Sequence, residues 1–400
     1  MPIYQYTAKN IRGEVSKGSL VVENQTELKK QLYDKGYFLV SAKEQGDGAA
    51  TKGFKSKVKL KDFVIFCRQF AVILNAGLTI VEGISIMAEQ TESKKLREVL
   101  LDIHDQLLKG KAFSVALRVH KETFPEFFIN MIEVGETSGS LDVILNRVAE
   151  YYEREDKMVK KVKGAMTYPV IVIVVAIAVI TLLMVKVLPM FADMLTGAGA
   201  ELPFITRAVM GVSNFMIKNF IIIAIVLFGG VGGAIYYFRT EEGKYQWDAL
   251  LLKIPMINKL VLKLITSKFA RSMGILLKSG IPIMNAMDIM TNLIGNKIVE
   301  EKFKVCSDEV KKGKGISGPL KDMNFFPPLL IHMVSVGENT GELDEMLTRT
   351  AVFFDEEVEE AVAQVTTMIE PILIVGLGSI IAVIILAVML PMVSIMETIQ

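Results

Sequence analysis

The amino-acid sequence predicts a mainly α, polytopic membrane protein: duplicated cytoplasmic helical bundles, three transmembrane helices and a small N-terminal α+β module. Three observations predict this. Residues 165–185, 220–238 and 371–390 are apolar runs without a charged side chain, and about 20 such residues cross a bilayer. The stretches leading into the first and third runs repeat one another. Elsewhere apolar residues recur at helical spacing, as at Phe66, Phe70, Ile73 and Leu74. The 400-residue chain has a mean hydropathy of +0.41, so its apolar excess is concentrated in those runs. Lys+Arg 45 against Asp+Glu 44 leaves no basic surplus for nucleic acid.

Taken in order, residues 1–44 read as the α+β module. IYQYTAK and KGSLVV alternate like strands around Asn10 and Gly13. NQTELKKQLYDKG reads as a helix, opened by the capping-box spacing of Asn24 and Glu27 and ended by Gly36, and YFLVSAKE as a further strand. The polar start MPIYQYTAKN does not read as a cleaved signal peptide. Residues 45–60 read as a flexible linker. Residues 61–164 are the first bundle copy, 165–185 the first span, 186–219 an outer connector and 220–238 the second span. Residues 239–370 are the second copy, 371–390 the third span and 391–400 an outer tail. Arg154, Lys157, Lys160, Lys161 and Lys163 precede the first span, and Arg239 and Lys244 follow the second, which places both copies and the N-terminus inside. The third span has an acidic inner flank, Asp355, Glu356, Glu357, Glu359 and Glu360, which counts little in that rule. The connector is rich in Met, Phe and Leu and reads as an amphipathic stretch on the outer membrane surface.

The repeat is explicit. FCRQFAVILNAGLTIVEGISIM matches FARSMGILLKSGIPIMNAMDIM at an offset of 203, pairing Arg68 with Arg271 and Gly77 with Gly280. FPEFFINMIEVGETSGSLDVIL matches FPPLLIHMVSVGENTGELDEML at an offset of 202, pairing Glu136 with Glu338 and Gly139 with Gly341. Each copy reads as an antiparallel helical bundle with breaks at Gly77, Gly110 and Gly135. The Gly-Glu-x-x-Gly-x-Leu-Asp block ends one helix in a left-handed glycine cap and starts the next, with Asp142 or Asp344 in its first turn. That last helix continues toward the membrane, bent near Pro169 or Pro371.

The paired MIEVGETSGSL and MVSVGENTGEL blocks, the duplication and the placement of the spans resemble the GspF/PilC family, the platform proteins of type II secretion and type IV pilus machines. The resemblance covers roughly residues 60–400, and the N-terminal module is similar too. The second block departs from the first in having Asn339 and Thr340 for Thr137 and Ser138. The resemblance implies an inner-membrane homo-oligomer that contacts a cytoplasmic hexameric ATPase, a pilin or pseudopilin and inner-membrane alignment proteins.

No chemistry of its own is legible. Gly110-Lys111 and Gly313-Lys314 lack the upstream glycine and the following Ser or Thr of a phosphate-cradling loop. Cys67 and Cys306, and His104, His120 and His332, have no metal-ligand or disulfide spacing. The chain reads as a non-enzyme with no catalytic residue, cofactor or metal. A transporter or channel subunit is the alternative, disfavoured by spans without charged residues; a membrane-anchored enzyme is disfavoured by the missing motifs. Four groups of residues carry the candidate functions. Glu136 and Glu338 either cap their turn or meet a partner. Arg68 and Arg271 either form an ion pair inside each bundle or reach an interface. Gly229 with Gly233, and Gly378 with Ala382, allow close helix packing within a subunit, between subunits or around a pilin helix. Finally, residues 153–163 carry five bases and three acids, and residues 355–360 five acids and no base. These helices are expected to attract each other, within a subunit or across a dimer, with Lys160 and Lys161 answering Glu357 and Glu360.

Overall fold

The computed structural model describes residues 3–10, 15–21, 29, 32–33, 36–45, 58–191, 204–238 and 240–398. Contacts divide the chain into Met1–Val58 and Lys59–Gln400, so both repeated stretches share one unit.

In the first unit β1 (Ile3–Asn10) is the middle strand, flanked by β2 (Val15–Val21) and β3 (Tyr37–Gln45), both antiparallel to it. The register pairs Ile3 with Val21 and with Gln45, and shifts between Thr7 and Ala8 on the β3 side. Ala8 and Leu32 are buried, with Tyr37, Leu39 and Ala42 packed on them. Lys29, Leu32 and Tyr33 are helical; Asn24 and Glu27 lie outside the described residues, as does most of the 45–60 linker.

The second unit begins with α1 (Leu60–Asn75), α2 (Ile80–Gln90), α3 (Lys94–Leu108), α4 (Phe113–Val119), α5 (Glu126–Ser138) and α6 (Leu141–Leu182). Local chemistry sets the boundaries. Gly77 and Gly110 take positive φ, which ends α1 and α3. Thr79 and Glu82 close a capping box on α2, Glu82 N–H donating to Thr79 Oγ1 at 3.3 Å and Thr79 N–H to Glu82 Oε2 at 3.0 Å. The apolar stripe of α1 buries Phe63, Phe66 and Phe70 against Phe113, Phe124, Phe128 and Tyr152, with Phe63 and Phe128 ring centroids 5.2 Å apart. Each such ring contributes about 1.5–3 kcal/mol through burial.

Then come α7 (Phe204–Lys218), α8 (Phe220–Tyr237) and α9 (Glu241–Lys253). They are followed by α10 (Pro255–Lys278), α11 (Ile283–Leu293), α12 (Lys297–Lys311), α13 (Ser317–Asp322), α14 (Pro328–Thr340) and α15 (Leu343–Thr398). The helices of 11, 15, 7 and 13 residues in α2–α5 recur as 11, 15, 6 and 13 in α11–α14, each series leading into a very long helix. The second core uses fewer rings, centred on Phe269, Phe303 and Phe326.

One expected break is corrected. Gly135 lies inside α5, where a Cβ would stand 3.0 Å from Leu141 Cα; Gly337 likewise would meet Leu343 Cα at 2.7 Å. These glycines let the next helix cross closely, whereas Gly139 and Gly341, at φ +68° and +79°, make the turn.

Among the described residues, two helices are long and apolar enough to cross a membrane, over Leu141–Phe191 and Leu343–Met389. Both continue through their prolines, Pro169 and Pro371, without interruption, so the bends expected there do not break either helix. The irregularity sits later, in a π turn at Leu183–Val187, where Ser213 of α7 donates its hydroxyl to the Met184 carbonyl at 2.6 Å. Thr206 of α7 donates to the Ala387 carbonyl of α15 at 2.7 Å, and Leu188, Val209 and Ala387 pack together. One stripe of the expected amphipathic connector is thus taken up by the two long helices, leaving Phe204, Val212 and Phe215 exposed.

Candidate functional site

The two long helices meet along a polar seam. Arg154 of α6 lies 3.8 Å from Asp355 of α15, and Lys161 pairs with Glu359. Residue numbers rise together, so the helices run parallel here. Asp355 is the hub: it is ion-paired with Arg271 of α10, accepts the Ser267 hydroxyl at 2.5 Å and faces Arg154. Arg271 and Asp355 are nine-tenths and four-fifths shielded, so this pair is screened less than a surface pair. The Arg271 Nε is buried without a partner among the described residues. Beside it a cavity of about 210 Å³ is lined by Tyr151, Met158, Leu264 and Ile265. Burial pushes the Tyr151 phenol well above its ordinary range. Farther up, the Arg147 guanidinium donates to the Lys278 carbonyl at 2.8 Å and the Ser279 hydroxyl at 2.9 Å, at the C-terminal end of α10.

The sequence-predicted residues fall into place unequally. Arg68 pairs with Glu153 at 3.3 Å within the first set, and Arg271 with Asp355 within the second. Since 153 and 355 also differ by the repeat offset, this is one ion pair made twice. Glu136 and Glu338 do not cap their own turns. Glu136 accepts the N–H groups of Phe113 at 2.6 Å and Ser114 at 2.8 Å, clamping the N-terminus of α4. Glu338 does the same for α13, taking the Ile316 and Ser317 N–H groups, the latter at 2.9 Å.

Within one subunit the predicted charge pairing needs correction. Lys160 turns to Asp156 on its own helix at 2.5 Å, Glu357 turns to Lys263 of α10 at 2.5 Å, and Glu360 is exposed. Lys161 does cross the seam, to Glu359 rather than to Glu357 or Glu360. The small residues proposed for close helix packing meet no other element among the described residues. At Gly229, Gly233 and Gly378 no atom of another element lies within 4 Å of where a Cβ would stand, and Ala382 is exposed.

The duplicated clamps and ion pair have a counterpart in sequence comparison. The profile described as type II secretion system (T2SS), protein F matches twice, over residues 66–189 and 269–391, and that of its N-terminal domain matches residues 1–43. The chain belongs to the type II secretion system protein F family. Among its relatives, a type IV pilus assembly protein PilC from Thermus thermophilus is 37% identical over the whole of both chains. PilC from Myxococcus xanthus is 34% identical over 99% of this chain and 96% of its own. A type II secretion system protein F from Pseudomonas aeruginosa is 28% identical over 98% of each. In this protein F family member, Glu136 with Arg68 and Glu338 with Arg271 each lie inside a matched segment, while α7, α8 and α9 lie between the two.

Sequence reasoning missed Arg147, Tyr151, Lys263 and Ser267. The repeat offset was the one available signal, since it relates Glu153 to Asp355 once Arg68 is related to Arg271.

Proposed function

We propose that this chain is the inner-membrane platform protein of a type IV pilus or type II secretion machine. The observation that carries the reading is that each helical set is continuous with an apolar rod, begun by α6 and running over Leu141–Phe191 in the first, and carried by α15 over Leu343–Met389 in the second. The family and the names of the relatives support it, and the higher identity to pilus assembly proteins, 37% against 28%, favours the pilus. In this reading α8 is a third crossing, the N-terminus and both helical sets are cytoplasmic, and the residue 192–203 side is periplasmic. A cytoplasmic hexameric ATPase displaces the bundles, α6 and α15 carry the motion into the bilayer, and a pilin or pseudopilin is inserted into or extracted from the fibre base. Inner-membrane alignment proteins surround a homo-oligomer, whose contacts use the uncovered Gly229, Gly233, Gly378 and Ala382. The chain hydrolyses nothing itself.

The test is a flexible Gly-Ser insertion at Gly164, a position in mid-α6 where no other element among the described residues lies within 4 Å of a built Cβ. It should abolish fibre assembly in cells while membrane insertion and the fold of the first set persist. Normal fibres from that variant would rule out direct mechanical transmission.

A further inference from the structure

α9 has a face that the described residues leave open. Trp247, Leu250 and Ile254, spaced i, i+3 and i+7 on and just beyond this helix, share one side and are all exposed. The opposite side is charged: Glu241 and Glu242 face Lys297, Glu300, Glu301 and Lys304 around a cavity of about 440 Å³. A flank is fixed to the second helical set, because Asp248 is buried and accepts the Lys297 N–H at 2.8 Å, capping α12.

The direction of the apolar face is set by the corner before it. Thr240 donates its hydroxyl to the Tyr237 carbonyl at 2.7 Å and accepts the Gly243 N–H at 3.1 Å, so α8 and α9 are joined by a capped turn without slack. A Cβ on Gly243 would stand 2.0 Å from the Tyr237 carbonyl oxygen, and Trp247, one turn on, packs on Phe238 with ring centroids 4.8 Å apart. The side of α9 that touches the end of α8 is therefore the side that carries Leu250 and Ile254 onward. Around the corner Tyr236, Tyr237 and Phe238 are exposed as well, at the end of an apolar helix without a charged side chain.

We infer that this face of α9 lies in the lipid headgroup layer, with Trp247, Leu250 and Ile254 dipping to the acyl boundary and the acidic face turned to water. The inference rests on α8 being a membrane crossing. Aromatic side chains with a polar edge concentrate at this depth, an amphipathic helix lies there on its apolar side, and the acidic side is repelled by anionic lipid. Lys244 and Lys253, on the flanks of the stripe, are placed to meet headgroup phosphates. A second copy of the chain is the competing occupant. It is disfavoured because the stripe continues an apolar helix end with the same exposure rather than forming an isolated patch.

Trp247 is the only tryptophan, so its emission reports this face alone. The full chain is reconstituted in vesicles of phosphatidylcholine and phosphatidylglycerol. Lipids carrying bromine near the headgroup end of the acyl chain should remove most of the emission. Bromine near the terminal methyl should remove less, and aqueous iodide little. The variant Leu250→Glu with Ile254→Glu should lose most of the bromolipid quenching while resisting alkaline extraction as the parent does. Strong iodide quenching with silent bromolipids, in a chain that still resists extraction, would overturn the inference and leave the platform reading standing. So would emission that responds only to protein density, the mark of a second copy. Extraction of the parent chain by alkali would overturn the membrane reading itself.

Discussion

Replacing Glu136 tests whether the repeated glutamate is a clamp on a neighbouring helix. Its two carboxylate oxygens hold the Phe113 and Ser114 N–H groups at 2.6 and 2.8 Å. These amides begin α4, a helix of 7 residues with no side-chain cap from its own N-cap position, Ala112. A hydrogen bond to a charged acceptor contributes about 1.5 kcal/mol or more, so Glu136→Ala should cost α4 about 3 kcal/mol. Glu136→Gln keeps one acceptor and should cost about half of that. Hydrogen exchange read by mass spectrometry on the full chain in detergent gives local opening directly. Amides of Phe113–Val119 should exchange about 100-fold faster in the Ala variant and about 10-fold faster in the Gln variant. Protection in α3 should change far less. Glu338→Gln should reproduce the effect on Ser317–Asp322. Unchanged protection of α4, or an equal loss across the whole first set, would refute the clamp.

The seam predicts its own crosslink: carbodiimide should join Lys161 to Glu359 within one chain, Lys161→Glu should remove the product, and adding Glu359→Lys should restore it. Both side chains are about half exposed, so the swap should change stability by no more than about 1 kcal/mol. Gly135→Ala should lower stability by about 1–3 kcal/mol, seen as a lower thermal midpoint, because its Cβ has to displace Leu141; Gly164→Ala, with open space around it, should leave the midpoint level or slightly raised. Burial pushes the Cys306 thiol up to about 12, with Asp322 adding to it, so at pH 8 only about one molecule in 10,000 holds the thiolate. Its alkylation in the folded chain should be slow and rise about tenfold per pH unit without levelling near the ordinary thiol value; a plateau there would contradict the burial.

The mainly helical class and the apolar rods were legible because helical spacing and uninterrupted apolar length are local properties of the chain. The turns at Gly139 and Gly341 were legible for the same reason. Gly135 was not, since its missing side chain serves a neighbour six residues on and leaves no mark in the backbone. The repeated glutamates stood out, yet their targets lie 21 to 23 residues back, a separation that only the folded bundle closes. The opposite charges of the two helices were also visible. Which lysine crosses was not, because Lys160 and Lys161 point about 100° apart around one helix and only the position of α15 chooses between them. The π turn at Leu183–Val187 depends on a hydroxyl from a helix some 30 residues away in sequence and has no local signature.

The helical rod that starts as α6 and runs on through the π turn to Phe191, 51 residues in all, is about 76 Å long at 1.5 Å per residue. Pivoted at its Leu141 end, a tilt of roughly 5° would sweep its far tip through about 7 Å, more than the 5.4 Å of one helical turn. A lever of that length converts a small rocking at its base into a stroke on the scale of a side-chain register, with no hinge required anywhere along it.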